Sequence, residues 1–370
     1  MSVAVIVLAV VCLAYANGAN DNFKGVATLY GTGTSSYRGA LAWATVTTLA
    51  GSLAAILLAE QLLQTFSGKG LVPDNLASNV DYAAATALGA GLTVLLATRI
   101  GMPISTTHGL VGALIGAGWA AGATVDFAKL GTTFFLPLLV SPLVAMAAAV
   151  VCYPLLRLGR QWLGVTEETC LCVGREVIEI VPAGGCAAVM QKVEQLSARL
   201  DSEVVCRSRY RGHVLGIPAA ATLDQLHYLS AGIVSFARGL NDTPKIAALL
   251  LLVGSIGGLG STAIVGIVIA VGGLLSARKV AETMSNKITT MSHGQGFTAN
   301  LITGLIVIGA SRLGLPVSTT HVSCGSLFGI GAVTRQARLA TIGKILVAWV
   351  TTLPLGAALG YAAYWVTRQL

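Results

Sequence analysis

Charged residues are scarce in this chain of 370 residues: only 10% are Asp, Glu, Lys or Arg. A soluble globular protein carries about 25%, so this sequence cannot cover a surface that faces water. Aromatic residues are also few, at 6%, whereas 55% of the residues are hydrophobic, 44 are glycine and the mean hydropathy is +0.78. Few rings and many glycines describe close helix packing inside a bilayer. These shortages exclude a disordered chain, a collagen, a disulfide scaffold and an ordinary cytosolic enzyme. The chain reads as an all-α polytopic membrane protein.

Zinc-type C-x-x-C spacing is missing too. Of seven cysteines, Cys12, Cys152 and Cys324 lie in apolar runs and read as packing residues. Cys170, Cys172, Cys186 and Cys206 fall in the one polar segment and read as reduced thiols. The run Val3–Ala16 has no basic leader, so it reads as a first membrane segment and not as a cleaved signal. The net charge of +8 feeds the positive-inside rule and does not imply a nucleic-acid partner.

What is abundant is apolar sequence in spans long enough for roughly 30 Å of hydrocarbon. They cover Val3–Tyr30 (interrupted by polar residues), Ala40–Ala59, Tyr82–Thr98, Ile104–Ala121 and Thr132–Leu156 in the first half. The second half has Leu226–Leu252, Ser255–Ser276, Phe297–Ala310, Val317–Val333 and Ile342–Val366. Between them, residues 157–218 hold eight Lys/Arg and seven Asp/Glu and cannot span a membrane. This insert is predicted to be a small α+β unit: a strand at Glu176–Val181, an amphipathic helix at Ala187–Leu200 and a strand at Glu203–Arg207. Three domains follow: a first transmembrane repeat at 1–156, the insert at 157–218 and a second repeat at 219–370.

The halves are repeats of each other. Gly18-Ala19-Asn20-Asp21-Asn22-Phe23-Lys24 matches Gly239-Leu240-Asn241-Asp242-Thr243-Pro244-Lys245 at an offset of 221 residues. Arg99-Ile100-Gly101-Met102-Pro103-Ile104-Ser105-Thr106-Thr107-His108 matches Arg312-Leu313-Gly314-Leu315-Pro316-Val317-Ser318-Thr319-Thr320-His321 at an offset of 213. About five to six segments per repeat, an odd number of crossings and broken or re-entrant helices are expected, which inverts the second copy. The charges agree. Arg38, Arg157, Arg160, Arg278, Lys279, Arg335, Arg338 and Lys344 fall on one side of that count, and Glu60, Asp74, Asp81 and Asp126 on the other. By the positive-inside rule the insert is cytosolic and both termini lie outside. Inverted repeats around a midplane site are the architecture of secondary transporters.

The first motif sets Asn, Asp and Lys in an apolar run, twice. A charge at membrane depth costs about 2.5–3.5 kcal/mol on the lenient insertion scale and is functional by default. Asn20, Asp21, Asn241 and Asp242 offer hard oxygen ligands for a coupling cation, with Asp21 and Asp242 the ligands if that cation is Na+. Gly18, Gly25, Gly239 and Pro244 are expected to break the helices and free backbone carbonyls as further ligands. The plainer reading pairs Asp21 with Lys24, and Asp242 with Lys245, one turn apart.

The second motif reads as a helix start, with Pro ending the preceding segment and Ser or Thr as N-cap. Ser105, Thr106, Thr107 and Ser318, Thr319, Thr320 would cradle an anion at opposed helix tips, with Lys245 beside them. A capped helix without ligand, packed through Gly112/Gly116 and Gly325/Gly329, is the alternative. His108 and His321 are candidate proton carriers or donors to a backbone carbonyl.

With its two G-A-N-D-type and two P-x-S-T-T-H motifs, the chain resembles the inorganic phosphate transporter (PiT) family, in its bacterial form. The resemblance covers Ala16–Arg160 and Leu226–Leu370, including Arg278–Thr289 and Gln295-Gly296-Phe297, and leaves out the insert. It implies import of inorganic phosphate by symport with Na+ or H+ through alternating access, in the cell membrane, with no cofactor beyond the coupling ion. A homodimer is a further expectation. Sulfate or another tetrahedral oxyanion is the second candidate substrate; a protonated phosphate suits Asp21 or Asp242 as acceptor, whereas sulfate would be repelled. A membrane-embedded phosphoester enzyme and a passive channel fit the motifs less well. One departure from the family matters: Lys24 stands where an amide is usual. It either neutralises Asp21 from within the protein or reaches cytoplasmic water beside Arg38.

Overall fold

The computed structural model describes residues 3–67, 70–166, 168–183, 189–202, 215–254, 256–286, 288 and 291–369. It has two compact units, Met1–Tyr153 with His227–Leu370, and Pro154–Leu226. In the first half, α1 (Val3–Asp21) is followed by a single 3-10 turn (Lys24–Val26) and α2 (Ala27–Gly31). Then come α3 (Tyr37–Leu58), α4 (Val80–Arg99), α5 (Thr106–Ala120) and α6 (Leu136–Trp162). The second half holds α7 (Ala219–Leu250), α8 (Gly257–Ser276), α9 (Arg278–Asn286), α10 (His293–Arg312), α11 (Thr319–Thr334) and α12 (Leu339–Thr367). Every apolar stretch of the sequence contains a helix. Among the described residues, six helical segments are long and apolar enough to cross a membrane. Large apolar side chains such as Leu8, Leu57, Leu139, Val347 and Val350 point outward, as lipid-facing positions must.

Helices α4 and α5 fold back on each other, with Tyr82 Oη donating to the Leu114 carbonyl at 3.0 Å. Helices α10 and α11 do the same, with Thr303 and Ser326 hydroxyls 3.1 Å apart. At 1.5 Å per residue, α5 and α11 are roughly 22 and 24 Å long, short of the hydrocarbon thickness. Each pair is therefore a helical hairpin with one longer and one shorter arm. Its tip turns through a left-handed glycine, Gly101 (φ +71°) or Gly314 (φ +68°), a conformation open to a residue without Cβ. The N–H of the next residue closes each helix end, Met102 onto Ala97 O and Leu315 onto Ala310 O, both at 2.9 Å.

The repeat is exact enough to map contact onto contact. A Cβ on Gly18 would fall 2.0 Å from Ile269 O, and one on Gly239 would fall 2.1 Å from Thr48 O. The offset of 221 relates both pairs. So α1 crosses α8 and α7 crosses α3 at backbone contact, each helix packing against the other repeat. The hairpins are exchanged in the same way. Gly116 on α5 meets Ala357 O of α12, and Gly329 on α11 meets Met146 O of α6, at built-Cβ distances of 1.9 and 2.5 Å. Dispersion contact and small residues, not apolar burial, hold helices together in lipid.

Two local expectations are corrected. The first motif does interrupt its helix, at Asn22–Val26, but the second runs unbroken through Pro244 within α7. Proline removes one N–H and frees the carbonyl four residues earlier, which a helix confined by neighbours on all sides can tolerate. In the insert, β1 (Thr169–Ala183) includes the predicted first strand, while the described part of the predicted helix at Ala187–Leu200 lies in strand β2 (Val189–Ser202). The two form an antiparallel ladder from Thr169↔Ser202 to Ala183↔Val189, and β3 (Leu215–Pro218) completes the order β2-β1-β3. A short amphipathic run is ambiguous on its own, and a long partner strand overrides its helical spacing. The predicted strand at Glu203–Arg207 lies outside the described residues, as do Cys186 and Cys206.

Candidate functional site

The break after α1 lies where the two hairpin tips meet. Thr320 Oγ1 donates to the Ile104 carbonyl at 2.9 Å, and Thr107 Oγ1 to the Val317 carbonyl at 3.5 Å, a reciprocal pair under the offset of 213. Both helix starts are capped as predicted. Ser105 accepts from His108 N–H and Ser318 from His321 N–H, each at 3.2 Å. These two serine hydroxyls act as caps, whereas Thr106, Thr107 and Thr320 contact the charged groups and Thr319 accepts from the Asn241 amide.

Lys24 and Lys245 are each 2% exposed. The Lys24 ammonium donates to Asn20 Oδ1 (2.8 Å), Ile104 O (2.7 Å), Thr320 Oγ1 (2.7 Å) and the Asp21 carboxylate. That of Lys245 donates to Thr107 Oγ1 (2.9 Å) and Val317 O (2.7 Å) and pairs with Asp242 Oδ1 at 3.5 Å. The carbonyls that meet the cations therefore come from the hairpin tips, not from the helix breaks. Lys24 does not reach water beside Arg38: it is a member of the buried cluster.

The remaining amides tie the motifs together. Asn20 donates to Thr98 Oγ1 (2.9 Å) and Met102 O (3.1 Å) and accepts from Ile104 N–H (3.2 Å). Asn241 donates to Asp242 (3.0 Å), Val317 O (3.1 Å) and Thr319 (3.3 Å), and accepts from Ser311 Oγ (3.3 Å). Thr106 donates to Asp21 Oδ2 at 3.1 Å. His108 and His321 lie side by side, tilted at 40° with ring centroids 4.5 Å apart, and His321 stacks on Trp349 at 3.7 Å. His321 also bonds the Leu138 backbone. The histidines are behind the tips and touch neither carboxylate in the described hydrogen bonds.

Two central residues escape a reading by motif. Asn17 Nδ2 approaches both Asp21 Oδ2 and Asp242 Oδ2, each at 3.2 Å, so the two carboxylates converge on one amide. Arg238, fully buried, donates to Asn17 Oδ1 (3.2 Å), Asn22 Oδ1 (3.0 Å) and Thr48 Oγ1 (3.1 Å). Asn17 and Arg238 occupy the same repeat position, 221 residues apart. A signal was present: Arg238 is a charge inside the apolar run Leu226–Leu252. Three buried cations, Lys24, Lys245 and Arg238, thus face two buried carboxylates, Asp21 and Asp242. With each at its usual charge, the cluster carries one net positive charge in an apolar shell, which favours an anion.

The sequence profile of the phosphate transporter family matches residues 17–360. The chain belongs to the phosphate transporter family. This transporter is similar to the "Probable low-affinity inorganic phosphate transporter" of Rhizobium meliloti, 27% identical over 95% of this chain and 92% of that protein. It is also similar to the chloroplastic inorganic phosphate transporter 2-1 of Arabidopsis thaliana, 24% identical over 97% of this chain and 71% of that protein. A solved structure titled "The sodium-dependent phosphate transporter" shares its fold, with a TM-score of 0.75 at 22% identity, covering 100% of this chain and 99% of the other. The transporter is a multi-pass membrane protein and not an enzyme.

Proposed function

We propose that this transporter imports inorganic phosphate by symport with a cation, Na+ or H+, through alternating access between its inverted repeats. The reading is carried by one observation: two hairpin tips meet crosswise over Asp21 and Asp242, with Lys24, Lys245 and Arg238 beside them. Phosphate would bind between the tips, exchanging the Thr106, Thr107, Thr319 and Thr320 contacts for its own oxygens. Hydrogen bonds from ammonium groups to a phosphate oxygen are the strong, charge-assisted kind. A carboxylate of Asp21 or Asp242 accepts the proton that phosphate retains and sulfate lacks. Parting of the tips on one side and then the other gives access, and the inverted symmetry makes the two openings equivalent. The basic loop residues Arg38, Arg278, Lys279, Arg335 and Arg338 set the insert in the cytosol and the termini outside.

Purified transporter in proteoliposomes tests this. Uptake of ³²P-phosphate should be driven by an imposed sodium or proton gradient, and should be inhibited by arsenate far more than by sulfate. Uptake that follows the phosphate gradient alone would make it a passive channel, and equal competition by sulfate would refute phosphate selectivity.

A further inference from the structure

Lys24 puts a charge where the family resemblance implies a neutral amide, and its environment is that of a bound cation. Its ammonium sits among one carboxylate, one amide oxygen, one backbone carbonyl and one threonine hydroxyl, drawn from both repeats. These are hard oxygen donors of the kind that hold a small cation. The pseudo-symmetric position holds the ammonium of Lys245 among Asp242, Val317 O and Thr107. We propose that Lys24 is a tethered substitute for one coupling cation: it fills the oxygen cage around Asp21 permanently, so this transporter moves at most one sodium ion per phosphate. The proposal rests on the phosphate symport reading above.

The charges give the number. With Lys24, Lys245 and Arg238 against Asp21 and Asp242, all buried and each at its usual charge, the cluster holds one net positive charge. A monoanionic phosphate neutralises it with no other ion, and a dianionic phosphate neutralises it together with one sodium ion. Without the Lys24 charge the cluster is neutral, and a dianion then requires two. Neutrality is the favoured loaded state because uncompensated charge away from water is costly. Lys24 also bonds Thr320 of the opposite hairpin, so the substitute cation joins the same cross-repeat contact that a bound ion would bridge.

The test compares wild type with Lys24→Asn, which restores the amide usual in the family. Co-uptake of ²²Na+ and ³²P-phosphate into proteoliposomes should give a ratio of at most one in wild type, rising by one in Lys24→Asn. An unchanged ratio in a transporting Lys24→Asn, or a wild-type ratio of two or more, overturns the proposal. If the variant does not fold, Lys24→Gln takes its place, and the wild-type ratio still decides. Thermal unfolding in detergent reads the cage without transport. Sodium in place of choline should raise the Tm of Lys24→Asn by several degrees more than that of wild type, and an equal shift in both overturns the assignment. Wild type that fails to take up phosphate refutes the symport reading alone, since the sodium-dependent Tm difference is independent of it.

Discussion

At the scale of single residues, the buried ion pairs make sharply unequal predictions for apparently similar substitutions. Asp21→Asn keeps shape but removes the charge that Lys24 faces, and both side chains are almost fully buried. Removing one partner of such a pair costs about 3–5 kcal/mol. Unfolding in detergent should therefore give a much lower Tm for Asp21→Asn, with partial recovery in the double variant Asp21→Asn/Lys24→Met. Coupled phosphate uptake should be lost in both Asp21→Asn and Asp242→Asn. The hydroxyls separate in a similar way. Ser105→Ala removes an N-cap and should cost ~1 kcal/mol of stability. Thr107→Val and Thr320→Val each remove a bond to a lysine ammonium and one to the opposite tip, and should raise the apparent phosphate constant at least tenfold. Arg238 and Asn17 show what motif matching misses: neither lies within a matched block, yet Asn17 bridges both carboxylates and Arg238 holds Asn17.

At the scale of elements, the helix crossings depend on having no side chain at their closest points. Gly116→Val would set a Cβ 1.9 Å from the Ala357 carbonyl, with two further carbons beyond it. Overpacking of this kind costs typically 1–3 kcal/mol, and here the obstacle is backbone that cannot rotate away. Gly309 has nothing within 4 Å of its built Cβ. Gly309→Ala should leave the protein as stable as wild type or slightly more so, since alanine is the better helix former by about 1 kcal/mol. Monodispersity by size-exclusion chromatography and Tm should separate the two. The helix starts were legible because proline, serine and threonine act locally: both P-x-S-T-T-H blocks begin helices, at Thr106 and Thr319. The break at Pro244 and the helix at Ala187–Leu200 were misread because neighbours, not local propensity, decided them.

At the scale of the whole molecule, the proposed alternating access requires the hairpin tips to part. His108 and His321, one on each hairpin, have rings 4.5 Å apart. In a cysteine-free background, His108→Cys with His321→Cys, joined by a short reducible thiol cross-linker, should stop phosphate uptake, and reduction should restore it. Uptake that continues with the cross-link in place would refute separation of the tips. The amino-acid sequence by itself determined the bilayer as solvent, the duplication, the inversion and the motif residues of the candidate site. Those follow from composition, periodicity and repeated motifs, which are properties of the chain read in order. Only the tertiary structure decided that each hairpin packs on the other repeat, that Asn17 and Arg238 join the cluster, and that Lys24 points inward to Ile104 and Thr320. Those contacts link positions up to 296 residues apart, and no local pattern carries them. They arise because buried charges lack water and must find partners wherever the packed helices bring them.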